Sequence, residues 1–460
     1  MKPLVVLDVV GMTPKLLARM PHLSALGARG WRAELGTVLP AVTCSVQSTF
    51  LTGRPPSGHG VVGNGWYFRD LGEVLFWRQH NGLVAGEKVW ESARRARPGY
   101  TAANVCWWYA MGASTDVTVT PRPVYHADGR KSPDCYTRPP RLHDRLTARL
   151  GPFPLFDYWG PTASLASTRW IVRAAERVLI EYRPDLLLVY VPHLDYDLQR
   201  FGPDSAAAHA AAAAVDAAVA PLLDRADSGD IDVIALSEYG ITPARRPVDV
   251  NRALRAEGLL QVYTQAGMEY LDAPASRAFA VADHQIAHVY VPDSADRAKV
   301  RSLLEALPGV DEVLDEPAQR RHNLHHARAG ELVAIAEPDA WFTYYYWLDD
   351  ARAPDFARGV DIHRKPGYDP AELFLNPADP YVKARAALNL AKKKLGLRYA
   401  MNVVPLDPSC VRGSHGRLPD STVDAPVILG STGAVPRQVE TGRLAATDVR
   451  QVLLNAHGLA

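Results

Sequence analysis

The sequence predicts an α/β fold in which helices alternate with the strands of a mainly parallel sheet. Residues 3–8 form an apolar run that ends in Asp8, as in a buried strand, and a helical pattern follows it. The same alternation returns in four later segments: helix Ser167–Tyr182, strand Leu186–Val191, a helix from about Ser205 to Arg225 and strand Ile231–Leu236. Helical segments between wholly apolar strands indicate parallel strands joined by crossover connections.

The first helix is predicted over Pro14–Leu26 because its leucines and a methionine recur on one helical face. Pro14 lies near its start, and Gly27 and Gly30 follow its end. The alanine-rich run at 206–220 is read as a plain helix, since alanine is the best helix former. In a parallel sheet the ligand lies beyond the carboxyl ends of the strands, so polar residues just after strands are the first candidates for chemistry.

A change of pattern at residues 278–347 predicts a small α+β insertion within a larger core, residues 1–277 and 348–460. Its predicted elements, in order, are strand HVYV, helix Ala295–Leu307, strand VDEVLD, and strands ELVAIA and WFTYYYW. Residues 66–159 are rich in Trp, Tyr, Pro and Gly with little periodicity. They predict long loops that cover a cleft.

Composition excludes several classes of protein. Hydrophobic residues make up 47% and charged residues 22% of the 460 residues, which is ordinary for a globular chain. With a formal net charge of +1, no long-range field attracts a nucleic acid polymer. Four widely spaced cysteines, with no CxxC pair, argue against a zinc knuckle, a redox motif or a disulfide scaffold. The apolar run at the N-terminus is too short for a secretory signal, and we expect a cytoplasmic protein without a membrane span, of open oligomeric state.

Thr43 is the candidate nucleophile. It follows an apolar segment and lies at or next to the N-terminus of a helix-like stretch that closes with Gly53 and the glycine-rich SGHGVVGNGWY. The free amides and positive dipole of a helix N-terminus favour an attacking alkoxide or a phosphoryl oxygen. The alternative is an N-cap threonine without a catalytic role.

Acidic residues at three strand ends predict a metal site. Asp8 ends the first strand, Asp195 follows LLLVYV, and Glu238 with Tyr239 follows VIAL. Oxygen ligands that converge on one sheet edge suit one or two divalent metals, although each acid could instead cap the next helix. His415, between glycines in GSHG, could add an imidazole ligand or be a surface histidine.

Together these segments resemble the alkaline phosphatase superfamily, in particular its type I phosphodiesterase/nucleotide pyrophosphatase branch and the related phosphonoacetate hydrolases. The resemblance lies in Asp8, then PAVTCSVQSTFLTGRPPSGHGVVGN with Thr43 at the nucleophile position, then HLDYDLQRFGP, SEYG and GSHG. It implies an alkaline phosphatase-like three-layer sandwich. It also implies a metal-dependent hydrolase of a small phosphate monoester, diester or phosphonate, acting through a phosphothreonine intermediate, with Asn64 holding a phosphoryl oxygen. A sulfatase would need a CxPxR-like motif, whereas this chain has TCSVQ.

The chain departs from the family pattern at the metal ligands. The resemblance implies ligands at eight positions: Asp8, Thr43, Asp195, Gln199, Glu238, Tyr239, His415 and His363. Gln199 stands where members usually have histidine, and Glu238-Tyr239 stands where they have Asp-His. Two divalent ions are expected, zinc or the harder Mn, Mg or Fe, which accept oxygen ligands. His193, His284 or His363 could replace the missing imidazoles, or a single ion could bind with catalysis weakened or lost.

Residues 360–369, VDIHRKPGYD, bring His363, Arg364 and Lys365 together before a Pro-Gly turn. We expect a loop that delivers a metal ligand or phosphate-binding cations, and the alternative is a solvated basic turn. The alternative to a hydrolase is a pseudoenzyme that binds a phosphorylated metabolite or a protein partner. A phosphotransferase like phosphoglycerate mutase ranks lower, because it would normally have a serine nucleophile.

Overall fold

The computed structural model describes residues 2–128, 130–431 and 442–459. Its centre is a nine-stranded sheet. In spatial order the strands are Arg443–Leu444, Trp31–Leu35, Val427–Gly430, Asp232–Leu236, Leu4–Val9, Leu186–Val191, Ala102–Val105, Val117–Pro121 and Cys135–Arg138. The predicted α/β class with a mainly parallel sheet is confirmed.

The first strand, Leu4–Val9, lies in the middle of this sheet. It runs parallel to Leu186–Val191 on one side and to Asp232–Leu236 on the other. All of its residues are buried, because successive side chains enter the cores on opposite faces of the sheet. Asp8 is paired with Tyr190 and Leu236, so it lies at the carboxyl ends of three neighbouring strands.

Helices cover both faces of the sheet and make a three-layer sandwich. One face carries Pro14–Leu17, Pro21–Arg29, Arg141–Leu150, Leu165–Tyr182, His193–Phe201 and Ala206–Asp227. The other face carries Thr43–Thr52, Val89–Ala96 and Val449–Asn455. The Thr43–Thr52 helix is buried along its whole length, and it sets Thr43 against the central strands.

The prediction of one helix over Pro14–Leu26 is wrong. Two helices, Pro14–Leu17 and Pro21–Arg29, replace it, with Met20 in a non-helical conformation between them. Pro21 has no backbone N–H and disfavours the helical conformation in the residue before it, so a new helix starts there. The later strands and helices agree with prediction to within two residues.

The alanine-rich helix Ala206–Asp227 is long and apolar enough to cross a membrane by length and composition alone. Its buried face packs against Leu165–Tyr182, His193–Phe201 and Pro21–Arg29, as in the helix layer of an ordinary core. This packing makes it weak support for a membrane span.

A separate four-stranded antiparallel sheet lies within the predicted insertion. Its strands, in spatial order, are Phe279–Asp283, Ile286–Tyr290, Leu332–Ala336 and Val310–Leu314, and helix Ser294–Glu305 packs on it. The first strand was not predicted. The predicted strand WFTYYYW is shorter, because only Ala340–Phe342 is extended and it pairs with Arg246–Val248, while the tyrosines pack in a core. The division into core and insertion stays a prediction.

Residues 66–159 contain more regular structure than the predicted loops. Three strands of the central sheet lie there, and each is only four or five residues long. Such short strands leave little periodicity in the sequence. Elsewhere in the chain, the remaining helices include Pro56–His59, Val250–Ala256, Glu316–Arg321 and Val382–Lys394, and Leu155–Tyr158 lies at the end of this range. Two hairpins pair Gly65–Phe68 with Glu73–Phe76 and Val262–Gln265 with Met268–Leu271.

Candidate active site

The predicted acids meet at the carboxyl edge of the central sheet. Asp8 lies in the first strand, Glu238 follows the neighbouring strand, and Asp195 lies in the first turn of helix His193–Phe201. All three side chains are buried. Their proximity follows from strand topology, because parallel strands end at one edge.

Thr43 is the first residue of its helix, as predicted. The N-cap position belongs to Val42, whose side chain makes no capping hydrogen bond, so Thr43 is not an N-cap threonine. Its Oγ1 lies 3.0 Å from the hydroxyl of Tyr239. Thr43 therefore presents a buried hydroxyl to the acidic edge of the sheet.

Tyr239 connects Thr43 to Asp195. Its hydroxyl donates to Asp195 Oδ1 at 3.3 Å. Because a phenol has one proton, the Thr43 hydroxyl is the donor in the contact with Tyr239. Burial raises the pKa of Tyr239 well above its usual range, which keeps this proton in place. The result is a directed chain of hydrogen bonds from Thr43 through Tyr239 to Asp195.

Gln47 joins the other two acids, and sequence reasoning did not single it out. Its Nε2 donates to Asp8 Oδ2 at 3.0 Å and to Glu238 Oε1 at 2.7 Å. Its Oε1 accepts from the backbone N–H of Trp108 at 2.8 Å, which fixes the orientation of the amide. The available signal was its spacing of four residues after Thr43, which places both on one face of the helix.

Asp8 and Glu238 form a buried acidic pair. Burial raises the pKa of Asp8 to about 7. Burial and then the negative charge of Asp8 raise the pKa of Glu238. Asp8 Oδ1 and Glu238 Oε2 have no hydrogen-bond partner among the described residues. Two buried carboxylates in contact need a proton or a cation, because neither charge is solvated.

Asp195 is held by Gln199. The Gln199 amide donates to Asp195 Oδ2 at 2.7 Å, and its oxygen accepts from the Tyr368 hydroxyl at 2.9 Å. Burial raises the pKa of Asp195 to about 7. An amide thus donates a proton to this carboxylate at the position where the resemblance implied an imidazole.

His415 completes this side of the site. Its Nδ1 donates to the carbonyl of Ala41 at 2.8 Å, so in the neutral ring Nε2 carries a free lone pair. Nε2 lies 3.7 Å from Asp195 Oδ1 and has no hydrogen-bond partner among the described residues. Burial lowers the pKa of His415 well below its usual range, which keeps this nitrogen unprotonated.

Asn64 binds Asp283, a residue that sequence reasoning missed. The Asn64 backbone N–H and side-chain Nδ2 donate to the Asp283 carboxylate at 2.7 and 3.1 Å, and its Oδ1 accepts from the Cys44 N–H at 3.0 Å. One amide proton of Asn64 is not used in these contacts. Burial raises the pKa of Asp283 to about 6. The signal for Asp283 was an acid directly after the apolar AFAVA.

Stacked rings line the site between the two sheets. Tyr239 stacks on His415 with ring centroids 3.6 Å apart, His284 lies 3.8 Å from His415, and Tyr368 stacks on His284 at 3.6 Å. His284, a candidate replacement ligand, thus lies beside His415. His193, another of the three candidates, instead lies 3.6 Å from Asp197.

The three residues at 363–365 lie in three different environments. His363 lines the cavity beside the site, but its Nδ1 contacts the carbonyl of Phe76 at 3.4 Å. Arg364 is exposed and pairs with Asp355 at 2.7 Å. The predicted phosphate-binding roles of Arg364 and Lys365 do not fit this placement.

Lys365 is buried with two carboxylates. Its ammonium lies 2.7 Å from Asp369 and 2.8 Å from Glu372. A cation satisfied in this way, away from the cavity lining, has no charge left for a phosphate.

A cavity of ≈ 920 Å³ opens from Thr43, Asp195 and Tyr239 toward the surface. Most of its lining is apolar or aromatic, including Trp77, Trp108, Phe156, Tyr158, Trp159, Ile362 and Met401. Cations also line it, namely Arg78, Arg122, Lys131 and Lys393. This composition suits a ligand with one anionic end and one bulky apolar end.

Oxygen donors of the kind that divalent cations bind meet at this site. Asp8, Glu238 and Thr43 offer oxygens, and two of the carboxylate oxygens are buried without a partner. A second set of donors consists of Asp195 Oδ1 and His415 Nε2, which lie 3.7 Å apart, and Gln199 lies beside them. Among the described residues, only Asp134, Cys135 and His143, outside this site, form a group of three or more His, Cys, Asp or Glu ligand atoms within 4.8 Å of one another. Oxygen-rich sites suit Mg or Mn, and zinc also accepts carboxylate oxygens beside His and Cys.

Comparison with known proteins finds a matching family model and similar solved structures. The family model for type I phosphodiesterase/nucleotide pyrophosphatase matches residues 4–369. Phosphonoacetate hydrolase from Sinorhizobium meliloti 1021, in complex with phosphonoformate, is 17% identical with a TM-score of 0.62, covering 100% of this chain and 96% of that one. No curated protein matches the chain by sequence.

A second structural neighbour is the murine ectonucleotide pyrophosphatase/phosphodiesterase 5, an inactive variant in complex with AMP. It is 14% identical with a TM-score of 0.57, covering 100% of this chain and 96% of that one. The human counterpart is also 14% identical, with a TM-score of 0.55, covering 99% of this chain and 94% of that one. These likenesses confirm the predicted alkaline phosphatase-like fold.

Proposed function

The chain belongs to the type I phosphodiesterase/nucleotide pyrophosphatase family of phosphoric ester hydrolases, and we propose that Thr43 is its nucleophile. The observation that carries the proposal is the chain of hydrogen bonds from Thr43 through Tyr239 to Asp195 at the inner end of the cavity. It provides a buried hydroxyl with a path for its proton. A nucleophile and a base within hydrogen-bond reach are the signature of covalent catalysis.

In the first step Thr43 Oγ1 forms a bond to phosphorus, and the bond from phosphorus to the leaving alcohol breaks. The Thr43 proton passes to the Tyr239 oxygen while the Tyr239 proton passes to Asp195, and the leaving alkoxide takes a proton from solvent. The Asp195 carboxylate, which already accepts the Tyr239 hydrogen bond, is placed to take that proton.

In the second step water attacks phosphorus and the bond to Thr43 Oγ1 breaks. The attacking water releases one proton to solvent, and Asp195 returns its proton through Tyr239 to Thr43. The products are free phosphate, or a phosphomonoester if the substrate is a diester, and the regenerated threonine.

The phosphoryl oxygens meet two sets of donors. The N-terminus of the Thr43–Thr52 helix presents backbone amides and the positive end of its dipole. Asn64 adds its unused amide proton, and Asp283 fixes the orientation of that amide. Fixed donors of this kind stabilise charge that develops in the transition state.

Members of the family use divalent metal ions, and we propose two positions for them here. Asp8, Glu238 and Thr43 would hold one ion, and Asp195 and His415 would hold the second, since the Gln199 amide turns its N–H toward Asp195 and its oxygen toward Tyr368. Such ions supply positive charge that favours the deprotonated nucleophile and neutralises phosphoryl oxygens. The Gln47 amide keeps the Asp8 and Glu238 carboxylates oriented toward each other.

The substrate that fits best is a phosphate ester with a bulky apolar group. Trp77, Trp108 and Trp159 line the cavity beyond Thr43, and they offer apolar and stacking surfaces. The cations in the lining suit the phosphate or a further anionic group.

Replacing Thr43 tests this function. We expect Thr43→Ala to lower turnover of an aryl phosphate or diester, measured with Mg²⁺ or Mn²⁺, by about a thousandfold or more. Thr52→Ala is the matched control, since Thr52 lies at the other end of the same helix and, among the described residues, its hydroxyl bonds only backbone groups. Acid-quenched wild-type protein should carry one phosphoryl group on the peptide that contains Thr43. Full turnover by Thr43→Ala would rule out this nucleophile.

A binding protein without turnover is the second candidate. Gln47, Gln199 and Tyr239 donate protons to the carboxylates at positions where cations are expected. Calorimetry with an aryl phosphate separates the two functions. Binding without turnover for any metal tested would favour the binding protein.

A further inference from the structure

The helix Val382–Lys394 and the residues after it, to Arg398, form a strongly basic surface segment, here called the basic segment. It contains no aspartate or glutamate. Its cations are Lys383, Arg385, Lys392, Lys393, Lys394 and Arg398. We propose that the basic segment docks the protein on a phospholipid surface that contains anionic lipids.

One face of this helix packs against the protein. Val382 and Asn389 are buried and Ala386 is half-buried, at helical spacings of four and three residues. Val382 and Ala386 contact a small apolar cluster around Val403 and Val404. The orientation of the helix is therefore fixed, and its opposite face must point into solvent.

The outward face is apolar. It consists of Ala384, Ala387, Leu388, Ala391 and Leu395, all exposed. At about 100° per residue, these side chains fall within an arc of about 100° opposite the buried face. Leu388 is 56% exposed and Leu395 is 75% exposed. A helix of a globular protein normally turns such a stripe inward, so this second stripe indicates a surface that another phase covers.

Cations border the apolar stripe on both sides. The same helical geometry places Lys383 and Lys394 along one edge and Arg385 and Lys392 along the other. Arg385 pairs with Asp379, whereas Lys383, Lys392 and Lys394 have no ion pair recorded in the described part of the chain. An apolar stripe between rows of lysine is the pattern of a helix that lies in a membrane interface. Anionic headgroups complement this charge.

The docking surface adjoins the cavity of the candidate active site. Ala386, Leu390 and Lys393 of the same helix line that cavity. Tyr125 and Phe156 also line it and are 62% and 48% exposed, so the apolar surface continues around the mouth. Docking would bring the helix whose inward side lines the cavity to the lipid surface. The consequence that an amphiphilic phosphate ester enters from the bilayer rests on the proposed function, whereas docking itself does not.

Co-sedimentation of the full chain with vesicles tests the docking. The vesicles contain phosphatidylcholine alone or phosphatidylcholine with phosphatidylglycerol. We expect binding only to the second kind, and we expect it to weaken as salt is raised, because the attraction is partly electrostatic. The double variant Leu388→Gln with Leu395→Gln should bind anionic vesicles at least about tenfold more weakly than the wild type, because two apolar side chains no longer enter the interface.

The matched control is Leu71→Gln with Leu348→Gln. These leucines are 60% and 58% exposed and lie outside the basic segment. The control should bind like the wild type, and both double variants should keep turnover of a soluble aryl phosphate. That turnover is scored separately, so loss of the proposed function and loss of docking give different results.

Three outcomes would overturn the proposal. The first is failure of the wild-type protein to bind anionic vesicles at low salt, and the second is binding by the Leu388/Leu395 variant that equals wild-type binding. In the third, sedimentation velocity would show a dimer that only the Leu388/Leu395 variant dissociates, without vesicle binding. That result would assign the stripe to a second copy of the chain.

Discussion

The hydroxyl of Tyr239 lies 3.0 Å from the hydroxyl of Thr43 and donates its own proton to Asp195. Its neighbour in the chain, Glu238, accepts from Gln47 and lies beside Asp8 and Thr43. One dipeptide at the end of strand Asp232–Leu236 therefore serves both halves of the site. In the proposed mechanism the phenol of this Glu-Tyr pair carries a proton between a hydroxyl and a carboxylate.

The substitution Tyr239→Phe should lower kcat by about a hundredfold or more, because Thr43 loses the acceptor for its proton. KM should change little, since the phenol lies beside the nucleophile and the ring that lines the cavity is retained. The measurement is kcat and KM for an aryl phosphate across pH 5 to 9. A group that only fills space would leave kcat unchanged.

Tyr344→Phe is the control for that variant. The Tyr344 hydroxyl is buried, has no hydrogen-bond partner among the described residues, and does not line the cavity. Its removal should leave kcat unchanged. Equal loss of kcat in both variants would contradict the assigned role of Tyr239.

Much of this site could be predicted because it follows from topology. Asp8, Asp195 and Glu238 each come at the end of an apolar strand, and the ends of parallel strands share an edge. Gln47 and Asp283 could not be predicted in this way. The role of Gln47 depends on which face of the Thr43–Thr52 helix meets the sheet, and Asp283 arrives from a hairpin of a different sheet.

The errors in the fold and the site have local causes. The proline that divides the first predicted helix was visible in the sequence, but the leucine spacing continues across it. Arg364 and Lys365 look alike in sequence, yet one is exposed and the other is buried between two acids. Burial of a charge depends on partners distant from the motif, and a motif alone does not show them.

Removal of metal should abolish turnover. Treatment with a chelator should lower activity at least about a hundredfold, and Mg²⁺ or Mn²⁺ should restore it better than Zn²⁺, because the donors are mainly oxygens. Metal content is measured by plasma mass spectrometry on the same samples. Asp8→Asn should take up less metal than the wild type. Full activity in metal-free protein would contradict this prediction.

Lys365→Met should destabilise the protein by about 3–5 kcal/mol, because it leaves Asp369 and Glu372 buried without their cation. Urea unfolding measures the loss. Arg364→Met, at the neighbouring exposed pair, should cost no more than about 1 kcal/mol. A raised KM without loss of stability in Lys365→Met would instead support a phosphate-binding role.

His59 should make the protein sensitive to acid. The ring is buried, its Nδ1 accepts from the Val61 N–H at 3.1 Å, and its Nε2 lies 3.0 Å from the Thr49 hydroxyl. Burial lowers the pKa of His59 from 6.5 to about 3. Protonation would place a hydrogen on Nδ1 against the Val61 N–H, so the folded state keeps the ring neutral while the unfolded chain takes up a proton.

The sign of the effect follows from that difference. The stabilisation by neutral His59 is fully present above pH 6.5 and is lost as pH falls toward the folded pKa of about 3. We therefore expect the stability advantage of the wild type over His59→Asn to shrink by about 1.4 kcal/mol per pH unit below pH 6. Other titrating groups are common to both proteins and cancel in the comparison, which urea unfolding between pH 7.5 and 4.5 provides.

His143→Asn gives a control of opposite sign. Hydrogen bonds to Asp134 and then Asp144 raise the pKa of His143, so its stabilisation is present at low pH and is lost as pH rises above its usual range. The stability advantage of the wild type over His143→Asn should therefore shrink toward high pH. The change should be smaller than that for His59, because the His143–Asp134 pair is partly exposed. If the advantage of the wild type over His59→Asn stayed constant from pH 7.5 to 4.5, the ring would be protonated to the same extent in both states, and the buried neutral histidine would be the wrong description.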